Sequence, residues 1–158
     1  MNSNDPFAPP KSDVSIKHDA IPGSPVKAVL LGFLADFGGS IVGGIPLGVI
    51  YGVLLAMSGV PQDKISGTLN SMPPDSLYSI IGFCIGFAFS ILGGYVCARI
   101  AKQNEYFLAG AMATLSAICG SFITPEDYSV GTTASLTVLS YAFVFFGANL
   151  GRKKNRSA

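Results

Sequence analysis

At 158 residues the chain has room for one domain and little for a second. Apolar residues make up 49% of it and charged residues only 12%, about half the share usual in soluble domains, which leaves too little charge to cover a water-exposed surface. A net charge of +1 gives no reason to expect nucleic acid or an acidic substrate as a partner.

Residues 1–25 carry Pro6, Pro9, Pro10, Pro22 and Pro25 among polar residues, which predicts a disordered polar lead. The first apolar segment, about 28–58, follows this long lead and exceeds the apolar core of a secretory signal, so it reads as a span rather than a cleaved leader. From Ala28 to Val60 the only charge is Asp36. Pro46 removes a backbone hydrogen bond in mid-span and predicts a kink; a break into two half-helices at Gly43-Gly44-Ile45-Pro46 is the sharper alternative. Ile65, Leu69 and Met72 then recur at helical spacing, predicting a short amphipathic helix on the membrane surface.

Asp75, after Pro73-Pro74, is the expected N-cap of a second span over 77–100. A third span is expected over 106–124, and Thr124-Pro125-Glu126-Asp127 has the capping and acidic pattern of a short surface turn. The fourth span covers 131–151, and 152–158 reads as a disordered basic tail near anionic headgroups. About 20 apolar residues cross a ~30 Å hydrocarbon core, and each segment is long enough. The segments do not alternate, so helices are the expected spanning structure. The expected fold is all-α: a polytopic four-transmembrane-helix bundle over 26–151, with the lipid bilayer as its first partner.

Lysine and arginine set the orientation. Lys11, Lys17, Lys27, Arg99, Lys102, Arg152, Lys153, Lys154 and Arg156 all fall on one side of these spans, against Lys64 alone on the other. The positive-inside rule therefore puts both termini in the cytoplasm, in agreement with four spans, which require both ends on one side.

Small residues recur every fourth position. The first span has Gly32, Ser40, Gly44, Gly48, Gly52 and Ala56 in series with Asp36, and beside them Gly39 and Gly43. The second has Gly82, Gly86, Ser90, Gly94 and Ala98. Such rows let helix backbones approach closely in lipid, so these two helices are expected to pack face to face; contact with a second copy is the alternative.

Asp36 is the acid inside an apolar run and so the first candidate for function. Arg99 falls at similar depth and Asn149 is a third candidate, which predicts an Asp36–Arg99 pair fixing the register of two helices; a hydrated Asp36 near the cytoplasmic boundary is the alternative. The intramembrane hydroxyls, Ser40, Ser79, Ser90, Thr114, Ser116, Thr133, Thr137 and Ser140, are expected to bond the preceding turn of their own helices. Catalysis is not expected: His18, the single histidine, lies in the lead, so no hydrolase triad can form. Cys84, Cys97 and Cys119 lack metal-ligand spacing, and no metal or cofactor site is predicted.

Two stretches carry a resemblance. Asn4-Asp5-Pro6-Phe7-Ala8-Pro9-Pro10 is similar to a short lead found on many bacterial membrane proteins, with Asp5 interrupting its usual Asn-Pro. Asp36-Phe37-Gly38-Gly39-Ser40, with Gly93-Gly94-Tyr95-Val96-Cys97-Ala98-Arg99-Ile100-Ala101, resembles small four-helix bacterial inner-membrane proteins of uncharacterised function. The resemblance implies a bacterial inner membrane and four helices, and no activity.

Two functions follow. One is a non-enzymatic subunit or scaffold acting through helix contacts with a membrane-protein partner or a second copy. The other is a minimal homo-oligomeric transporter or channel using Asp36. A cavity reaching Asp36 favours transport; a dry Asp36–Arg99 pair favours the scaffold, which the sequence narrowly prefers.

Overall fold

A computed structural model describes residues 23–123 and 128–157. Every regular element among them is a helix: α1 (Pro25–Met57), α2 (Gln62–Asn70), α3 (Leu77–Ala101), α4 (Glu105–Ser121) and α5 (Val130–Arg156). The lead up to residue 22 and the Thr124–Asp127 turn lie outside the described residues.

Three helices, α1, α3 and α5, are long and apolar enough to cross a membrane by length and composition. The expected count of four is met only in part, because the third expected span is not among them. The segment expected over 106–124 forms a helix of 17 residues, which ends when Ser121 Oγ turns back to donate to the Ile118 carbonyl at 2.7 Å. Phe122 and Ile123 close it with i→i+3 bonds to Cys119 and Gly120, the tight turn common at helix ends.

Local chemistry accounts for the helix ends. Ser24 caps α1, with Pro25 at the first helical position, where its missing N–H costs nothing. α3 is capped by Ser76 and not by Asp75. Ser76 N–H bonds the Pro73 carbonyl at 3.0 Å, which places Asp75 inside the turn and leaves Ser76 extended, with its Oγ accepting from Ser79 N–H. Ser129 caps α5 in the same way through Thr132 N–H. α2 forms where the amphipathic spacing predicts it, with Ile65, Leu69 and Met72 half-buried and Asp63 in its first turn.

Two expectations about α1 and α5 need revising. α1 runs through Pro46 as one helix; its departure from α geometry comes earlier, as a π-helical segment at Leu34–Gly38. The half-helix break is therefore absent. The basic tail is helical as far as Arg156, because Asn155 anchors it: Asn155 Nδ2 donates to the Ala98 carbonyl at 2.9 Å and its Oδ1 accepts from Arg99 Nη1 at 3.0 Å. Lys153, Lys154 and Arg156 in the last turn also complement the helix dipole.

The tightest seam joins α3 to α5. A methyl group on Gly94 would collide with the Val144 carbonyl, and one on Gly147 with the Ile91 carbonyl. One on Gly151 would lie 2.7 Å from the Tyr95 carbonyl. α1 meets α3 one strip around that helix: a methyl on Gly32 would lie 2.8 Å from Cys97 Cβ, and one on Gly93 would lie 2.6 Å from Asp36 Cβ. The expected face-to-face packing of the first two spans thus holds only near Gly32 and Gly93. Gly94 packs against α5 instead, since adjacent positions on a helix point about 100° apart. At Gly39 and Gly43, Phe89 and Ile85 fill the groove between α1 and α3. Gly44, Gly48 and Gly86 meet nothing within 4 Å, while Gly52 touches Ile65 and Gly82 touches Leu47. The core of Ala28, Cys97, Ala98, Ala101, Ala109, Met112, Ala113, Val144 and Ala148 lies in the half nearest Pro25 and Arg156, the basic end. Toward the opposite, distal end the helices separate.

Candidate functional site: a hydroxyl-lined cavity ending at Asp36

Above that core the separation leaves a cavity of about 280 Å³ between the four larger helices. Its floor is Asp36, which is only 4% exposed. The π-helical turn places it. An extra residue in the turn widens the helix, and the Asp36 carbonyl is held by Ser40 Oγ at 2.7 Å and by Gly39 N–H. The absence of a side chain on Gly93 then makes room for Asp36 Cβ against α3.

Ser90 Oγ of α3 donates to Asp36 Oδ1 at 2.8 Å and lies 3.5 Å from Ser140 Oγ of α5. Three helices thus meet through one carboxylate and two hydroxyls. Higher in the cavity α4 contributes Ser116, whose Oγ is buried and has no hydrogen-bond partner among the described residues. α5 adds Thr133, Thr137 and Tyr141. Thr137 bonds the Thr133 carbonyl at 2.8 Å, and Tyr141 donates to Thr114 Oγ1 at 3.0 Å. Phe37, Phe83 and Phe87 complete the lining. Each pairs with a ring outside the lining: Phe33 at 5.2 Å, Tyr128 at 6.5 Å and Phe143 at 4.8 Å between centroids. The lining extends to Gly82, Ser121 and Thr133, near the distal ends of their helices.

The predicted trio does not assemble. Arg99 follows Ser90 by nine residues along α3, roughly 13 Å of helix rise, and its partner is Asn155. Asn149 accepts from Tyr106 Oη at 3.2 Å, beside the Arg152 guanidinium, which stands 5.0 Å from the Tyr106 ring centre. Asp36 therefore belongs to the cavity, whereas Arg99 and Asn149 belong to two separate clusters at the basic end. Pro46 and the glycines of the row, apart from Gly82 and Gly86, do not line the cavity.

Sequence reading missed Ser90, Ser140 and Ser116 as site residues. Ser40, Thr114 and Thr137 bond the carbonyl four residues back, as expected of membrane hydroxyls. Ser90 and Ser116 do not. Ser90 stood in a small-residue row between Gly86 and Gly94, and that pattern carries no sign of the partner 54 residues away.

The arrangement offers one acidic oxygen pair, several hydroxyls and aromatic walls. Among the described residues no group of three or more His, Cys, Asp or Glu could hold a metal ion. No basic side chain lines the cavity among them either. A buried charge needs a partner, and the described lining supplies Asp36 with hydroxyls rather than a base. The fold and site define an all-helical chain with three helices able to span a membrane and a polar cavity between its helices. Compared with protein-family models, curated proteins and solved structures, the chain matches none.

Proposed function

We propose that this chain is a multi-pass membrane protein of the bacterial inner membrane that binds a small cation in the Asp36 cavity and passes it across. α4 serves as a fourth crossing: 17 residues span about 25 Å, and the helix packs against the other three. Four crossings leave both termini on one side, and the basic end, with Lys27, Arg99, Lys102 and the Arg152–Arg156 cluster, is the cytoplasmic one. The resemblance of Asp36–Ser40 and Gly93–Ala101 to small four-helix bacterial proteins supports the same placement.

One observation carries the functional reading: a buried carboxylate, with no basic side chain beside it among the described lining residues, forms the floor of a hydroxyl-lined cavity. A dry ion pair with Arg99 would have favoured the scaffold. The core below Asp36, with Met112, Val144 and Cys97 fully buried, closes the way to the basic end. This is a state loaded from the distal side, and release requires a second arrangement of the helices. A scaffold role keeps one point in its favour. The distal half of α1 buries no residue, and Gly44 and Gly48 meet no neighbour there.

The test is thiol labelling in vesicles. In a chain with Cys84, Cys97 and Cys119 replaced by alanine, Thr137→Cys should react with a membrane-impermeant maleimide from the distal side. Val138→Cys, on the exposed outer face, should react far less. Cation or proton flux should accompany the labelled state and vanish in Asp36→Asn. Equal, negligible labelling at both positions would remove the cavity from the mechanism.

A further inference from the structure

From the cavity's walls we infer that its cation is a small organic ammonium rather than a bare metal ion, an inference that rests on the cation-binding reading above. Three features of the lining lead there. The first is charge: the floor is a single carboxylate, with Ser90 on Oδ1, and no basic side chain among the described lining residues faces a ligand. This suits a ligand of one positive charge and opposes an anion or a zwitterion.

The second feature is size and donor density. A volume of about 280 Å³ is near the lower end of small-molecule pockets, and by the volume of liquid water it would hold roughly nine molecules. A bare hard cation needs several oxygens converging at bonding distance, six or more for calcium. Here the lining oxygens are spread from Asp36 to Thr133, over several helical turns.

The third is the aromatic side. Phe37, Phe83 and Phe87 come from two helices and line one cavity with Asp36, each paired with a second ring. Aromatic rings attract alkylammonium groups through their electron-rich faces and also shelter the attached carbons. They give a strongly hydrated metal ion little in exchange for its water. The buried Ser116 Oγ of α4, unpartnered among the described residues, is left to accept from an ammonium N–H or bond a ligand hydroxyl.

The experiment is equilibrium binding of isotopically labelled tetramethylammonium to the full chain in detergent, with ethylammonium, sodium and glycine betaine as competitors. Saturable binding is expected, displaced by ethylammonium but not by sodium or the zwitterion. It should be lost in Asp36→Asn. Phe87→Leu keeps the carboxylate and should weaken binding roughly three- to thirtyfold, the range from an exposed to a desolvated cation–aromatic contact. Arg99→Ala, remote from the cavity, should bind as the parent does. Undiminished affinity in Phe87→Leu would overturn the role of the aromatic wall. Absent tetramethylammonium binding, with Asp36-dependent sodium or proton flux intact, would overturn the ammonium assignment and leave the cation reading standing. Absence of both binding and Thr137→Cys labelling would overturn the two together.

Discussion

Ser90 Oγ donates a 2.8 Å hydrogen bond to Asp36 Oδ1, linking two helices at residues 54 positions apart, both of them at least nine-tenths buried. This bond replaces the salt bridge that an intramembrane acid ordinarily invites. It positions the carboxylate at the cavity, where the proposed cation would meet it.

Ser90→Ala removes the donor and leaves Oδ1 buried without it. A hydrogen bond to a charged group is worth about 1.5–3 kcal/mol, and the thermal midpoint in detergent should fall accordingly. Ser116→Ala, which deletes a buried hydroxyl that has no partner among the described residues, should leave the midpoint unchanged or raise it. Equal losses in the two variants would mean that the Asp36–Ser90 bond contributes nothing specific.

Gly93→Ala tests the close approach that seats Asp36. Its methyl would lie 2.6 Å from Asp36 Cβ and 2.7 Å from the Gly32 carbonyl, and neither neighbour is the flexible end of a side chain. Overpacking of this kind costs about 1–3 kcal/mol, read as a lower unfolding midpoint. Gly48→Ala meets no neighbour in the single chain and should gain up to about 1 kcal/mol from helix propensity. A loss at Gly48, accompanied by a shift to smaller species in native mass analysis, would instead place a second copy or a partner helix on that face.

How far the sequence reveals this protein depends on the range of the interaction concerned. The long apolar helices are legible because lipid imposes a length and an absence of charge on each one separately. The short helix α2 (Gln62–Asn70) is legible from local periodicity. The N-cap of α3 was misplaced by one residue, because both Asp75 and Ser76 cap well and only the Pro73 turn decides between them. Asp36 was legible as a charge among apolar residues. Its partner was not, since Ser90 looks like any small residue in a packing row and the π-helical turn that aims Asp36 has no sequence signature. Arg99 attracted the pairing by charge, but helix rise places it well below the site, where Asn155 has no obvious mark in the sequence.

That separation is itself measurable. In a double-mutant cycle, Asp36→Asn and Arg99→Ala should be additive within about 0.5 kcal/mol, as sites without shared partners are. Arg99→Ala and Asn155→Ala share a 3.0 Å hydrogen bond and should couple by about 0.5–3 kcal/mol. Coupling of Asp36 to Arg99 above that threshold would restore the ion pair that the geometry dissolves.

The α3–α4 connection stores a cost that can be relieved without touching the cavity. Lys102 and Asn104 have φ of 55° and 51°, both left-handed, in a link of three residues between Ala101 and Glu105. Asparagine tolerates that conformation, whereas a lysine loses roughly 1–2 kcal/mol through contact of its Cβ with the backbone. Lys102 is exposed, and its N–H caps the helix by bonding the Ala98 carbonyl at 3.3 Å, a bond that glycine keeps. Lys102→Gly should therefore raise the thermal midpoint, by about 0.5–1 kcal/mol once the greater freedom of the unfolded glycine is set against the relief. The same substitution removes one positive charge from the basic end, and the remaining Lys27, Arg99 and Arg152–Arg156 cluster should hold the orientation. Protease accessibility of a C-terminal tag in right-side-out vesicles checks that point. A stabilised chain of unchanged orientation would show that the backbone of this link, rather than the charge of Lys102, sets its energetic contribution.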